Sequence, residues 1–365
     1  MDDRMPPNDA VPPGHHDVAR AVFVGLAAAA LVIAGIYLGS RRLRDFDAAL
    51  VPYAGASVFA AFGIGYRYAM WLRRPPTYLY WRRGWQLFLK PRHLPGNLLR
   101  LGRLVADNFV LQRFIEHRSW LRWATHACLF WGCILAAAVT FPLSFGWIHF
   151  ETARDSQTVY RTFVFGFEIF RFALGSTLAE ALFNVLDLSA VLVLAGIALA
   201  LWRRARDRGA LALQQFENDL LPLVLLFAVS VTGLLLTVST HALRGYHYTF
   251  LSQLHAVTVV FTLVYLPFGK FFHIFQRPAQ LSLAFYREAG ARGEPARCLR
   301  CGDAFASRLH VEDLKLVERA IGVRYGLEGG AHYQDVCPAC RRKTLALTQD
   351  ALWTAARGAA RAERG

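Results

Sequence analysis

Charge is scarce in this chain, and acid is scarcer than base. Asp, Glu, Lys and Arg make up 18% of 365 residues, where a soluble protein carries about a quarter. Only 26 acidic residues stand against 41 basic ones, a formal net charge of +15. Six cysteines are too few for a disulfide-rich secreted module. No P-loop, dinucleotide fingerprint or nucleophile triad occurs, which sets a self-contained soluble enzyme aside. No internal repeat stands out, and low complexity is confined to an Ala/Arg-rich end after Leu352, read as a frayed helix.

What is present is apolar: 55% of residues, gathered in long blocks nearly free of charge. That excludes disorder and argues against a soluble fold. Crossing a hydrocarbon core of about 30 Å takes roughly 20 helical residues. Six stretches qualify, at 21–40, 52–72, 123–147, 182–202, 219–241 and 251–275. The first is too deeply placed and lacks the small-residue cleavage site of a signal peptide, so it reads as a retained helix. The expected fold class is an all-α membrane protein, a six-transmembrane helix bundle with a small cytoplasmic metal-binding tail.

The basic residues are not spread evenly. Of the 41 Lys and Arg, 32 fall in 1–20, 73–122, 203–218 and 276–365, against 7 in the alternate segments. The short loops agree, with 203-RRARDR-208 set against the single Arg244. By the positive-inside rule both termini are cytoplasmic, in a multi-pass protein of the inner (plasma) membrane. Nucleic acid is then not needed to explain the basicity. Segment 73–122, with Tyr80, Trp81 and Trp85 beside arginines, suits the membrane interface, as an ordinary linker or a partner-docking site. The opposite segment 148–181 is long and aromatic; capping a lipid-soluble ligand and plain packing on the bundle both suit it.

Four of the twelve histidines lie in or at the ends of spans: His126, His241, His255 and His273. Ligating side chains at membrane depth are costly and therefore functional candidates. On one continuous helix, His255 and His273 are eighteen residues apart, which is five full turns and about 27 Å. Both rings would then leave one face, one near each membrane surface, as two stacked haems require. His126 enters the third span at the depth of His273, and the two can clasp one haem. Gly132 leaves room for a flat macrocycle or simply packs helices. Lys270, Arg122 and Arg277 are near enough in sequence to pair with haem propionates, although helix-end cations need no cofactor.

The run 254-LHAVTVVFTLVYLPFGKFFHIFQRP-278 resembles the last helix of the respiratory nitrate reductase gamma subunit and of heterodisulfide-reductase-type membrane cytochromes b. The shared signature is LH, eighteen residues to the next His, and PF-x-[KR]-x-x-HI before a Pro. Supporting similarities are 52-PYAGASVFAAFGIGYRY-68, 125-THACLFWG-132 and 219-DLLPLVLLFAVSVTGLLL-236. The resemblance covers residues 52–280. It implies five core helices, two b-type haems, oxidation of a quinol on the outer face, and electrons delivered to a cytoplasmic iron–sulfur or molybdoenzyme-type partner. By position, His126 and His273 would hold the inner haem and His255 would ligate the outer one. The family's fourth ligand lies ten residues beyond the first His, where this chain has Ala136, which cannot ligate. His241 is the favoured replacement, ahead of His149 and His247.

Cys128 and Cys133, five apart on one helix, read as small apolar residues. The other four cysteines form 298-CLRCG-302 and 337-CPAC-340. Two C-x-x-C knuckles in a reducing compartment point to a metal held by Cys298, Cys301, Cys337 and Cys340. Zinc is favoured over an iron–sulfur cluster, since the ferredoxin run C-x₂-C-x₂-C-x₃-C is missing. The 35-residue gap between knuckles carries a helical run at 311–327 and His310 and His332. The chain thus divides into an N-terminal segment 1–20, a cytochrome b-like membrane domain 21–280, a zinc-ribbon-like domain 281–348 and a tail 349–365. The expected function is a haem b subunit carrying electrons between the quinone pool and a cytoplasmic oxidoreductase. The alternatives are a transporter, or a haem-free assembly or scaffold protein with a zinc tail.

Overall fold

The computed structural model describes residues 14–154, 156–206, 209, 214–327 and 330–362. Residues 1–13 of the N-terminal segment, the end of the basic run 203–208 and the last residues of the tail lie outside the described residues. In chain order the helices are His15–Gly39 (α1), Val51–Leu72 (α2), Pro75–Phe88 (α3), Leu94–Val105 (α4), Arg113–Glu116 (α5) and Trp120–Ser144 (α6). Three strands follow, Ile148–Ala153 (β1), Ser156–Val164 (β2) and Phe167–Ala173 (β3), then helices Thr177–Arg206 (α7), Leu221–His241 (α8), Tyr248–Tyr265 (α9), His273–Ala279 (α10) and Leu281–Arg292 (α11). The chain ends with Pro295–Arg297 (β4), Ala304–Ser307 (β5), Arg308–Ala320 (α12) and Pro338–Ala362 (α13). Two compact units result, one of residues 18–69 and 102–277, the other of 70–101 with the start of α1 and the chain from 278 on.

The first unit carries the six expected spans. Six helices are long and apolar enough to cross a membrane: α1, Ala48–Leu72, α6, α7, Phe216–His241 and α9. Their packing inverts the soluble pattern. Small residues are buried (Ala21, Ala29, Ala56, Ala60, Ala200), while Phe23, Leu31, Leu38, Val257 and Phe261 are all more than half exposed. Large apolar side chains facing outward need a lipid solvent, and small ones facing inward let helix backbones approach. Gly132 shows this directly. A Cβ there would sit 2.6 Å from Val193 Cγ2 and 2.8 Å from the Ser189 carbonyl of α7. One built on Gly196 of α7 would lie 2.7 Å from Leu129 Cγ. The space at Gly132 is filled by α7, so it does not make room for a macrocycle.

The segment after α6 corrects the all-helical expectation locally. β1, β2 and β3 form an antiparallel meander. The β2–β3 turn places Phe165 at φ +50° and Gly166 at φ +82°, the primed geometry that matches strand twist. One face gathers Phe150, Tyr160 and Phe172 around Phe183 of α7, with ring centroids about 6 Å apart. The other is a charge ladder in which Arg161 pairs with Glu151 and Glu168. Alternation of aromatic with polar residues over 156–173 was the available signal.

The sixth span is also corrected. It does not run unbroken from 251 to 275, because α9 stops at Tyr265 and a 3₁₀ turn at Lys270–Phe272 precedes α10. Pro267 has no N–H to continue the ladder, and Gly269 adopts φ +52°, ψ −151°, open to glycine alone. The five-turn relation between His255 and His273 therefore does not hold. Carbonyls freed by the break are met by Arg67 of α2, whose Nη1 donates to Pro267 O at 2.5 Å and to Gly269 O at 3.3 Å, with its guanidinium 4.4 Å from the Phe272 ring. Gly63 lets Pro267 close on α2, since a Cβ there would lie 2.7 Å from the proline ring.

In the second unit, α3 packs on α11 through Gly84 against Ser282, Phe88 against Phe285 and Tyr80 against Tyr286. Asp313 of α12 is 1% exposed, pairs with Arg83 at 2.9 Å and accepts the Tyr286 hydroxyl at 2.9 Å. Burial, with Asp313 beside it, pushes the Tyr286 hydroxyl up, so it remains a donor. The unit that holds the tail is thus larger than residues 281–348, because α3 supplies one wall of its core. Replacing Arg67 with Leu should cost about 2 kcal/mol, the usual worth of a charged hydrogen bond. Thermal unfolding of the purified protein in detergent, with Arg67→Lys retaining part of the stability, checks this.

Candidate functional site

Among the described residues two groups carry chemistry, one in each unit. In the first unit, His126 sits on the second turn of α6 and His273 opens α10. The break after α9 brings His273 to this place, and the two rings lie within electrostatic range of each other and of Arg277. Arg277 also stacks over Phe114 at 4.7 Å. Arg122 is exposed, and Lys270 is paired with Asp219 at 2.7 Å. Of the three cations named from the sequence, Arg277 is the one within electrostatic range of His126.

The hydrogen bonds of the rings follow one rule. His126 Nδ1 lies 2.8 Å from Gln112 Oε1, and His273 Nδ1 lies 2.5 Å from the Lys270 carbonyl. Both acceptors are oxygens without a hydrogen to give, so each Nδ1 is the protonated nitrogen. His255 Nδ1 lies 2.9 Å from Thr232 Oγ1, whose own hydrogen goes to Ala228 O at 2.7 Å. That hydroxyl can then only accept from His255. In all three rings Nε2 is left as the free lone pair. A ligating imidazole needs this arrangement, one nitrogen held by an outer partner and the other turned to a metal.

His241 does not join His255. Thr232 marks the level of α8 that meets His255, and His241 lies nine residues further on. Nine residues make two and a half turns and about 13.5 Å, so His241 leaves the opposite face at another depth. It is exposed at the helix end. His247 stands at φ +56° with its ring against Tyr246. His149 lies in the meander, stacked on Phe163 and near Asp45 and Glu151. Among the described residues no second histidine is brought to His255. Gln112 and Thr232, the partners of His126 and His255, had no signature in the sequence.

The second group is the cysteine cluster. The hairpin β4–β5 presents Cys298 and Cys301 on a tight knuckle closed by Gly302 at φ +76°, whose N–H donates to Cys298 O at 2.9 Å. The other knuckle caps α13, with Pro338 at the first helical position and Cys340 N donating to Cys337 Sγ at 3.4 Å. Leu299 N bonds Asp335 O at 3.0 Å and ties the knuckles together. All four Sγ atoms lie within 4.8 Å of one another, with Cys301 and Cys337 3.8 Å apart. Four sulfurs each about 2.3 Å from a tetrahedral ion would be about 3.8 Å apart. The backbone N–H of Cys337, 3.2 Å away, holds the Cys298 thiol down to about 6. The cluster can therefore hold a metal ion.

His310 stacks on Tyr80, and His332 lies 3.6 Å from Glu318, so neither is part of this cluster. Glu318 accepts from Gln334, which in turn accepts from Arg341 at 2.6 Å, bracing the turn before Cys337. Cys128 and Cys133 are half-buried free thiols within α6.

Elemental analysis of the purified chain should find one metal ion per polypeptide at the cysteine cluster, counted apart from any haem iron. Cys301→Ser with Cys337→Ser should abolish it and open the 295–345 region to limited proteolysis. No protein-family model matches this chain, and neither a curated protein nor a solved structure is found to be similar to it.

Proposed function

We propose that the chain is a haem b membrane subunit that moves electrons between the quinone pool and an iron–sulfur or molybdoenzyme-type oxidoreductase partner. The observation that carries this reading is the shared state of His126 and His273. Each is anchored at Nδ1, each keeps Nε2 free, and both stand at one end of the bundle beside Arg277. Two imidazoles so prepared would hold one haem iron, and Arg277 would pair with a propionate. Haem supplies the one-electron redox chemistry; the chain supplies ligation, orientation and an apolar surround. His255, anchored on Thr232, would give a second haem one ligand, and nothing among the described residues gives it another.

In this reading the cysteine cluster holds zinc and stiffens a docking module on the partner's side, with both termini cytoplasmic. Four sulfurs within 4.8 Å suit one ion rather than a cube in which each cysteine holds a different iron. Protein expressed with ample haem should give a pyridine haemochrome spectrum of the b type and a zinc equivalent per chain. His126→Ala or His273→Ala should each remove that haem, while His241→Ala should leave haem content unchanged. Absence of haem from the wild-type protein would overturn the proposal.

A further inference from the structure

Gln112 stands apart from every other residue near the histidines. Its side chain is 2% exposed, although it is a primary amide at the edge of an apolar bundle. Its backbone is left-handed, φ +53° and ψ +36°, in a residue with a Cβ. It follows a π-helical turn at Ala106–Val110 and caps the four-residue helix α5. Its amide Nε2 is buried without a hydrogen-bond partner among the described residues. A strained backbone and an unsatisfied buried donor both disfavour this placement. Against them, beside the backbone bonds its carbonyl accepts from Ile115 and Glu116, stands the hydrogen bond that Oε1 accepts from His126 Nδ1 at 2.8 Å.

The surroundings hold Gln112 there. Trp123 Nε1, one turn before His126 on α6, donates to Leu111 O at 2.7 Å and pins the residue preceding Gln112. Phe114 two residues later lies under Arg277. The segment is therefore fixed on both sides of Gln112 by groups that also flank the histidines. The acceptors of the other two rings are a backbone carbonyl and a hydroxyl already committed to the helix, so a free side-chain carboxamide is peculiar to His126.

We infer that Gln112 is a positioning residue that locks His126 in the Nδ1–H tautomer and sets how strongly its Nε2 donates to the haem iron. This rests on the haem reading above and goes beyond it by naming the side chain that tunes the ligand. An acceptor on Nδ1–H makes the imidazole a better donor and favours the oxidised iron; removing it weakens ligation and favours the reduced form.

The test compares Gln112→Leu, which keeps an apolar side chain of similar bulk and loses the acceptor, with Gln112→Glu, which keeps an acceptor oxygen. Haem content and reductive potentiometric titration, followed at the haem absorbance, are read on full-length protein. Gln112→Leu should weaken haem binding by about 10–100-fold, the usual effect of losing an outer partner. The haem it retains should titrate at higher potential. Gln112→Glu should return occupancy to the wild-type level, with a potential equal to or below that of wild type. Equal losses in both variants would mark a packing role, and unchanged potentials at full occupancy would show that the hydrogen bond does not tune the ligand. Either result overturns the inference while leaving the haem reading intact. A wild-type protein without haem overturns both.

Discussion

A carbonyl left unpaired in an apolar slab costs several kcal/mol, so a spanning helix that stops short must hand its last carbonyls to another group. The end of α9 is where this chain meets that constraint. Pro267 and Gly269 stop the helix, and Arg67 reaches across from α2 to the carbonyls of the same two residues. An arginine in an apolar helix is otherwise expensive. Here its charge is spread over two carbonyls and an aromatic ring. The Tyr265 hydroxyl donates to Glu217 O and Lys270 pairs with Asp219, so the entry to α8 is tied to the same break.

The geometry at His273 follows from that break. The 3₁₀ turn at Lys270–Phe272 brings the Lys270 carbonyl to His273, where it accepts from both the backbone N–H and Nδ1 of that residue. The residues that make the break, Pro267 and Gly269, and the one that satisfies it, Arg67, thus act on the ring through the backbone. His126 reaches an equivalent state by a different route, with a strained glutamine in place of a freed carbonyl.

The six spans were readable because composition over 20 residues needs no knowledge of neighbours. The cysteine cluster was readable because two C-x-x-C knuckles admit few geometries. What escaped the sequence depended on tertiary partners. Gly132 invited a cofactor reading, but Val193 and Ser189 fill its notch. Gln112 lies in an unremarkable stretch, and nothing local signals a left-handed, buried amide. The eighteen-residue spacing of His255 and His273 pointed to a straight helix, although Pro267 and Gly269 stood between them. Strand alternation over 156–173 was present but masked by the aromatic character of the segment. The membership of α3 in the cysteine unit could not be read at all, since it rests on Gly84 meeting Ser282 almost two hundred residues away.

On the haem reading, the two histidine levels of the bundle are not equivalent. At one end two anchored rings and a guanidinium converge from α6 and α10. At the level of His255, Thr258 donates to His255 O at 2.8 Å and lies 3.2 Å from Thr232. A haem there would be held, among the described residues, by His255 alone. An iron with one fixed and one open position binds small ligands, whereas one held by two imidazoles does not. The chemistry at the two levels would therefore differ in kind.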